Sequence, residues 1–425
     1  MRILILNDHG HVVGGAAAVA LNAALGLAAA GHTVLFLCAV GPVDPRLAAA
    51  GVEVIDLGRH DLLGNPSRLQ AAANGLWDRS VAAALAAVLA RLDPADTVVH
   101  LHTWVKSLSV SVVPVVKRLG FPLVVTLHDY FSVCPNGGLY DYPAQAICHR
   151  QPLSLVCITR HCDARSYPHK LWRVVRQGVQ QGPGGLPRLV DAWISVSALS
   201  EQILRPYLPA AARLFRVPNP IDVPRLPVPG EAGGPTDAAL GTAPFLFLGR
   251  LAPEKGGAVL AQAAAREGLP VTYVGEGEAR AEWQRLHPAG LFTGWLDRAA
   301  TLQQLQGARA LVFPSQWYET QGLVVSEAAA LGIPAIVSDC TAAAENIVDG
   351  ETGWLFAAGD VAALARKMRW MIDHPREAAA MGAAAYVRYW SAPCDLARHV
   401  AGLEDVYQAL LPPFSAVGVA STHAL

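Results

Sequence analysis

The stretch that decides the fold lies at residues 310–331 and reads ALVFPSQWYETQGLVVSEAAAL. It opens with a short apolar run, which is typical of a strand buried on both faces of a parallel sheet. Gly322 then precedes a run that fits a helix as far as Leu331. A strand, a short connection and a helix in this order are the unit from which doubly wound α/β sheets are built.

The same alternation of strand and helix patterns fills most of the chain. In the first half, apolar runs that we interpret as strands lie at residues 2–7, 33–39, 52–57, 97–103, 122–129 and 193–197. In the second half, such runs lie at residues 244–249, 270–275, 308–315, 334–339 and 353–356. Helical patterns separate them. The sequence therefore predicts an α/β protein with two Rossmann-like, doubly wound domains.

The break between the two halves falls near Asn219, where the chain reads VPNP at residues 217–220 and continues into a Pro- and Gly-rich connection at 227–242. Such composition favours an exposed link, so we place an interdomain hinge near Asn219. The predicted organisation is an N-terminal domain at 1–217 with a cysteine-containing loop at 130–167, a C-terminal domain at 218–411 ending in a helix at 394–411, and a flexible tail at 412–425.

Composition excludes several classes of protein. The 33 Lys and Arg against 34 Asp and Glu give a net charge of −1, so no global field favours nucleic acid. The N-terminus enters a strand without the parts of a signal peptide, and no stretch has the pattern of a membrane span. Seven Cys, an odd count, fit a reducing compartment. We therefore expect a cytoplasmic protein without a nucleic-acid partner.

The first chemical motif is the pair Glu319 and Glu327, which lies on either side of Gly322. If a helix begins at Gly322, its first backbone N–H groups have no partner inside the helix and form a site for a diphosphate. Glu319 then reaches a group attached to the phosphates, and Glu327 accepts hydrogen bonds from a diol such as a ribose. The alternative is an ordinary acid at a helix terminus and a solvated acid on a helix face.

The second motif reads FLGRLAPEKGG at residues 247–257 and follows the first predicted strand of the second half. Ligands of open α/β sheets bind beyond the carboxyl ends of the strands. Arg250 and Lys255 at that edge would neutralise charge on a departing diphosphate. The alternative is an ordinary turn in which Arg250 pairs with Glu254.

Together the two motifs resemble those of the retaining family-four glycosyltransferases, which have the GT-B architecture of two Rossmann-like domains facing across a cleft. The family's Gly-Arg-Leu-x-x-x-Lys-Gly turn matches Gly249 to Gly256, and its Glu-x7-Glu motif matches Glu319 to Glu327. Further matches follow the family's order at residues 193–197, 217–220, 273–277, 292–295 and 345–353. The resemblance covers most of residues 1–410.

The resemblance implies a role for each matching residue on the donor side. Glu319 would contact the donor sugar near the reacting carbon, and Glu327 would hold the ribose. Arg250 and Lys255, in the turn that begins at Gly249, would grip the diphosphate together with the N–H groups of Gly322 and Leu323. The chain contains no Asp-x-Asp metal motif. We therefore expect no catalytic metal and no required cofactor, since the nucleotide sugar is the substrate.

In the first half, the resemblance implies contacts to acceptor or phosphate at Gly14 and Gly15; the alternative is a turn and a helix start that need no ligand. A lone histidine at a strand end is more often structural, but the resemblance makes His128 an active-site candidate over the donor sugar. His100 and His102 also end a strand and rank second. The predicted acceptor is a glycan, a polysaccharide or a lipid-linked sugar.

Two further features lie beyond His128. Cys134, Cys148, Cys157 and Cys162 lie in one loop, where a structural zinc site and free or redox-labile thiols are both open, because the spacing lacks tight Cys-x2-Cys pairs. Residues 169–176 read HKLWRVVR. Such a helix is either a solvated basic face or a peripheral contact with an anionic membrane that carries a lipid-linked acceptor.

These residues predict a glycosyltransferase that moves a sugar from a nucleotide sugar to an acceptor hydroxyl with retention of configuration. Two other functions stay open on the sequence alone. One is an epimerase or hydrolase of the same fold that acts on the nucleotide sugar itself. The other is a catalytically silent protein that binds nucleotide sugar and assists the assembly of a polysaccharide.

Overall fold

The structure is a computed structural model that describes residues 1–227 and 243–411. The predicted tail at 412–425 and nearly all of the predicted connection at 227–242 lie outside the described residues. Within the described ranges the chain forms two large parallel sheets. The prediction of two Rossmann-like, doubly wound sheets is confirmed.

The first sheet has seven strands in the order β3-β2-β1-β4-β5-β8-β9. Strand β1 pairs in parallel with β2 and β4, so the strand order reverses beside it. The strands in chain order are β1 (Arg2–His9), β2 (Thr33–Val40), β3 (Glu53–Asp56), β4 (Thr97–Leu101), β5 (Leu123–Leu127), β8 (Ala192–Ser195) and β9 (Arg213–Arg216), and a small antiparallel pair is formed by β6 (Tyr140–Asp141) and β7 (Ala146–Ile147).

The second sheet has six strands in the order β12-β11-β10-β13-β14-β15, and its registered pairs are all parallel. The strands are β10 (Phe245–Leu248), β11 (Val271–Val274), β12 (Leu291–Gly294), β13 (Ala310–Phe313), β14 (Ala335–Ser338) and β15 (Gly353–Phe356). Phe245 and Phe247 of β10 pack into the core on one face, and Leu246 packs into the core on the other. Burial on both faces explains why these strands are continuously apolar.

Helices cover the sheets. In chain order they are α1 (Gly15–Ala29), α2 (Pro45–Ala49), α3 (Arg68–Leu76), α4 (Arg79–Leu89), α5 (Val112–Arg118), α6 (Leu155–Thr159), α7 (Tyr167–Gln181), α8 (Ala198–Leu204), α9 (Gly257–Glu267), α10 (Arg280–Leu286), α11 (Arg298–Gln306), α12 (Leu323–Ala330), α13 (Val361–Asp373), α14 (Pro375–Ser391) and α15 (Leu396–Gln408). In the part of the chain that the structure describes, none of them combines the length and apolar character needed to cross a bilayer.

Many of these helices begin at a residue whose side chain accepts a hydrogen bond from the first turn. Asp78 before α4, Asp297 before α11 and Asp360 before α13 all do so. In contrast, α1 follows Gly14 and α12 follows Gly322, and no described side chain caps either helix. The N-termini of these two helices therefore keep N–H groups for other partners.

Contacts divide the chain into two compact units. Among the described residues, the first contains 1–125, 189–193 and 400–411, and the second contains 126–188, 194–227 and 243–399. This division passes through β5 and β8 of one sheet, so the predicted domain boundary at 217/218 stays a prediction. The second unit holds the whole six-stranded sheet and also the cysteine-containing loop.

Candidate functional site

The turn after β10 carries the two predicted cations of the donor side. The guanidinium of Arg250 pairs with the carboxylate of Glu254, as the alternative reading of the motif expected. The Glu254 side chain is buried, whereas 58% of the Arg250 side chain is exposed. The Nη2 atom of Arg250 is therefore engaged by Glu254, while most of the side chain faces solvent, from which an anion would arrive.

Lys255 contacts Glu319, so the structure joins the two motifs that the sequence places 64 residues apart. The Lys255 Nζ lies 2.5 Å from Glu319 Oε1, and Ser315 Oγ donates to the same carboxylate oxygen at 2.9 Å. Burial by itself raises the pKa of Glu319, but the charge of Lys255 and these hydrogen bonds outweigh it and hold the pKa below its ordinary value. Glu319 is therefore an ionised carboxylate beside a fixed cation.

Gly256 makes this approach possible. Its φ of 69° is in the left-handed region, and a Cβ atom there would lie 1.8 Å from the carbonyl oxygen of Pro314, which follows β13. A residue with a side chain would push the turn after β10 away from the end of β13. Glycine at this position thus brings Lys255 to Glu319.

Gly322 begins the helix beside them. Its φ is 73°, and a Cβ atom would lie 2.7 Å from the Cβ of Ala343. The first turn of α12 contains no acid, and no described side chain caps it. The positive end of the helix therefore lies near Glu319 and Lys255, where it can attract an anion.

Glu327 lies on the buried side of α12 and is not the solvated acid of the alternative interpretation. Arg298 Nη1 donates to Glu327 Oε1 at 2.6 Å, and Arg298 Nη2 donates to the carbonyl oxygen of Asp222 at 2.6 Å. Burial raises the pKa of Glu327, and Arg298 offsets only part of that rise. The carboxylate of Glu327 thus has a fixed orientation, set by Arg298, a cation that belongs to neither sequence motif.

His128 lies in the same compact unit as the two motifs. The hydroxyl of Thr320 donates to the His128 carbonyl oxygen at 3.1 Å, which places His128 beside the residue after Glu319. Burial, with a smaller effect of His399, lowers the pKa of His128 to about 3. The imidazole is therefore neutral at physiological pH and can exchange hydrogen bonds without adding charge.

In the first unit, Gly14 and Gly15 stand at the start of α1 after β1. A Cβ atom on either residue would meet no described atom within 4 Å. Open space therefore surrounds both positions, and the packing of the described chain does not require glycine at either one.

The neighbouring loop after β4 is held by Asp8, at the end of β1. Its carboxylate accepts hydrogen bonds from the backbone N–H groups of Lys106, Ser107 and Leu108. This role of Asp8 could not be predicted from the sequence, because a single acidic residue at the end of a strand does not indicate a contact with a distant loop.

His100 and His102, the second-ranked histidines, are both buried. His100 Nδ1 lies 2.6 Å from the hydroxyl of Tyr407, which is on α15. His100 therefore ties the C-terminal helix to the core of the first unit.

The cysteine-containing loop packs against the donor-side turn within the second unit. Burial and the nearby carboxylate of Glu254 raise the pKa of Tyr142 to about 12. Lys170, which is fully buried, places its Nζ 3.5 Å from Cys157 Sγ.

Among the described residues, no three His, Cys, Asp or Glu side chains are arranged so as to hold a metal ion. The zinc site stays a prediction.

Two supporting residues besides Asp8 were not predicted from the sequence. Arg298 is the first residue of α11 and has no sequence relation to Glu327 that would reveal their contact. Gln321 exchanges hydrogen bonds with the backbone N–H and carbonyl of Asn219 through its side-chain amide. Gln321 lies directly before Gly322, so its place inside the Glu319–Glu327 motif was the one signal in the sequence.

Two family models match the chain. The model described as Glycosyltransferase Family 4 matches residues 13–225, and the model described as Glycosyl transferases group 1 matches residues 237–388. The two matches cover the six-stranded sheet, the seven-stranded sheet apart from β1, and the predicted site residues from Gly14 to Glu327.

Among curated relatives, the glycogen synthase of Mycobacterium tuberculosis is 31% identical over 293 residues, which cover 65% of this chain and 67% of that enzyme. The D-rhamnosyltransferase WbpZ of Pseudomonas aeruginosa is 35% identical over 157 residues, which cover 35% of this chain and 41% of that protein.

Two solved structures share the fold. HepE of Anabaena in complex with UDP has a TM-score of 0.66 at 17% identity, covering 96% of this chain and 100% of that one. Sucrose-phosphate synthase of Thermosynechococcus elongatus has a TM-score of 0.67 at 20% identity, covering 96% of this chain and 98% of that one. These likenesses confirm the predicted GT-B fold class.

Proposed function

The chain belongs to glycosyltransferase family 4, and from that premise we propose that it moves a sugar from a nucleoside diphosphate to an acceptor hydroxyl with retention of the anomeric configuration. One observation carries the proposal. Lys255 and Glu319 meet beside the uncapped N-terminus of α12, so a cation, a carboxylate and free N–H groups come together at the carboxyl end of a parallel sheet.

The donor diphosphate is bound by this cluster. Lys255 supplies a partly buried charge, and Arg250 supplies a second, largely exposed charge that can bind a phosphate while its Nη2 pairs with Glu254. The N–H groups of Gly322 and Leu323 at the start of α12 add hydrogen bonds and the field of the helix. UDP in the related structure of HepE supports a nucleotide in this fold.

The two glutamates bind different parts of the donor. Glu327, oriented by Arg298, accepts hydrogen bonds from the ribose diol. Glu319, ionised beside Lys255, lies where the sugar attached to the diphosphate begins. His128 contributes a neutral imidazole on the other side of that sugar.

Retention follows from a front-face reaction. The bond between the anomeric carbon and the phosphate oxygen breaks, and its electron pair stays on the phosphate. The acceptor oxygen bonds to the same face of the carbon, and its proton passes to the departing phosphate oxygen. Cations and N–H groups fixed around the diphosphate stabilise the charge that develops there.

The acceptor is a glycan or a lipid-linked sugar. The curated relatives named for glycogen synthesis and rhamnosyl transfer support a glycan acceptor. The acceptor can approach the backbone closely at Gly14 and Gly15, because open space surrounds both positions.

Turnover of the Lys255→Ala variant tests the role of the cluster. Loss of one fixed donor to a developing charge is expected to lower turnover by about 100-fold or more. Arg266→Ala is the matched control, since Arg266 on α9 is exposed and pairs only loosely with its neighbour Glu267, at 3.8 Å. Near-wild-type turnover in Lys255→Ala, with its fold verified by circular dichroism, would refute the diphosphate site.

Product stereochemistry tests the retaining reaction. The proton spectrum of the first product formed by the wild-type enzyme should show the anomeric configuration of the donor. An inverted product would remove the front-face route and leave the donor site standing. Release of free sugar or an epimerised nucleotide sugar, with no transfer to any acceptor, would instead favour the hydrolase or epimerase alternative.

A further inference from the structure

The side chain of Gln321 ties the donor-side motif to a distant part of the chain. The Asn219 backbone N–H donates to Gln321 Oε1 at 2.8 Å, and Gln321 Nε2 donates to the Asn219 carbonyl oxygen at 3.1 Å. Gln321 is 8% exposed and Asn219 is 6% exposed, so bulk water does not compete for these bonds. One amide thus satisfies both backbone groups of a residue 102 positions away.

Asn219 needs such a partner because of the sequence around it. The chain reads VPNP at residues 217–220 and forms neither a strand nor a helix there. Proline has no N–H, so Asn219 carries the only backbone donor between Pro218 and Pro220. A buried N–H and a buried carbonyl outside regular structure must find other partners or stay unsatisfied. An amide side chain can both donate and accept, and it does so without adding charge.

The stretch that contains Asn219 is held from another side as well. We call residues 217–222 the linker segment. His399 Nδ1 lies 2.8 Å from the Pro218 carbonyl oxygen, and the Ile221 N–H donates to the Cys394 carbonyl oxygen at 2.9 Å. The linker segment therefore offers Gln321 a fixed backbone to bind.

The second glutamate of the motif is also tied to the linker segment. Arg298 donates to Glu327 Oε1 and to the carbonyl oxygen of Asp222, both at 2.6 Å. Gln321, directly before α12, and Glu327, within α12, therefore share the linker segment as a common reference.

The residues on either side of Gln321 belong to the proposed donor site. Glu319, two positions before it, is the carboxylate beside Lys255, and Gly322, directly after it, precedes α12. Residues 314–322 form no strand or helix, so a regular ladder of backbone hydrogen bonds does not fix them. Side-chain contacts of this stretch therefore contribute to where Glu319 lies and to where the first N–H groups of α12 point.

We propose that Gln321 is a positioning residue of the donor site. Its amide fixes the backbone before α12 against the linker segment and so aims the N–H groups of Gly322 and Leu323 at the diphosphate. The proposal rests on the function proposed above, because the diphosphate site that Gln321 positions is the same site.

Replacement of the amide by a thioether tests the positioning. Gln321→Met keeps an unbranched side chain of similar length but leaves both backbone groups of Asn219 without their partner. Calorimetry with UDP, GDP and ADP first identifies the nucleoside diphosphate that the wild-type chain binds. The affinity of Gln321→Met for it should be lower by about tenfold or more between pH 8 and pH 5.5, since misaimed N–H groups bind the phosphates poorly.

The pH dependence of Gln321→Glu separates positioning from a loss of stability. An ionised carboxylate can only accept, whereas a protonated carboxyl accepts and donates as the amide does. Burial opposite the Asn219 carbonyl oxygen should raise the pKa of the introduced carboxyl. Its affinity should be about tenfold below that of the wild type at pH 8 and within about threefold at pH 5.5. His399 and Glu319 are present in every variant, so the ratio to the wild type isolates the introduced carboxyl.

Gln180→Met is the matched control. Gln180 on α7 is buried, and its amide donates to the carbonyl oxygens of Phe131 at 2.9 Å and Ser132 at 3.3 Å. Both methionine variants should lower the melting temperature, because each leaves buried backbone groups unpaired. Only Gln321→Met should weaken the binding of the diphosphate.

Three results would overturn the proposal: wild-type affinity in Gln321→Met, an equal loss in Gln180→Met, or no recovery of Gln321→Glu at pH 5.5. If Lys255→Ala still loses affinity in that case, the donor site stands and only the role of Gln321 is removed. If the wild type binds none of the three diphosphates, the proposed function and the positioning role fail together.

Discussion

At the scale of single residues, the burial of His128 determines the protonation state of its imidazole. Its imidazole has a pKa of about 3 because burial and His399 disfavour the charged form. The folded chain therefore holds this proton more weakly than the unfolded chain does, whose pKa is near 6.5. Stability is complete above the unfolded pKa and falls as the pH drops from there toward the folded pKa.

Because the stability of the wild type falls as the pH drops, His128→Gln should change the pH dependence of stability. Between pH of about 6 and about 4, the free energy of unfolding should fall less steeply in the variant than in the wild type, by up to about 1.4 kcal/mol per pH unit. Urea denaturation at a series of pH values measures the slope. His169→Gln, at an exposed position, is the control substitution of another histidine. Parallel slopes in His128→Gln and the wild type would contradict the assignment.

The open space at Gly14 allows the acceptor role of the first unit to be tested by substitution. A Cβ atom at Gly14 meets no described atom within 4 Å, so Gly14→Ala should leave the melting temperature unchanged. If a ligand approaches the backbone there, the added methyl group should lower turnover by about tenfold or more. Gly178→Ala is the control, because Gly178 on α7 also has open space around it. Full turnover in Gly14→Ala would remove the acceptor role.

Sequence reasoning found the residues that belong to local motifs and missed those that act from a distance. Arg250, Lys255, Glu319 and Glu327 stand in two short patterns that each follow a strand. Arg298 and Asp8 act through contacts between elements far apart in the chain, and the sequence carries no spacing that reveals them. The pattern of HKLWRVVR also could not tell which basic residues point inward.

At the scale of elements, the turn after β10 is the part on which the donor site depends. Gly256 brings this turn to the end of β13, and Gly322 starts the helix that follows β13. The central strands were predicted because burial on both faces makes them continuously apolar. β9 and β12 were not predicted, since both lie at the edge of their sheets and carry polar or small residues.

Gly256→Ala should destabilise the fold strongly. The residue has a left-handed φ, and its new Cβ atom would lie 1.8 Å from the Pro314 carbonyl oxygen. We expect a loss of about 3 kcal/mol or more, because the backbone must shift as well as bear the strained conformation. Gly268→Ala is a close control, with φ 64° and no described atom within 4 Å of its Cβ, and should cost about 1 kcal/mol. Equal losses in urea denaturation would show that the close approach is absent.

At the scale of the whole molecule, the number and type of the sheets could be predicted from the sequence. The packing of the C-terminal helix α15 in the first unit could not. The helix α15 ends in the first unit, where Tyr407 meets His100 and Glu404 meets His32 at 2.7 Å. These pairs join residues more than 300 positions apart. A helical pattern gives an apolar face but not the surface that the face covers, so the destination of α15 required the structure.

The affinity of the chain for nucleoside diphosphates tests the central claim most directly. Calorimetry with UDP, GDP and ADP should identify one that binds the wild type, and Lys255→Ala should weaken that binding by about tenfold or more, the effect of losing a charge-assisted hydrogen bond. Arg266→Ala should bind as the wild type does. Equal affinities in the wild type and Lys255→Ala would contradict the account, because the cation beside Glu319 would then not hold the diphosphate.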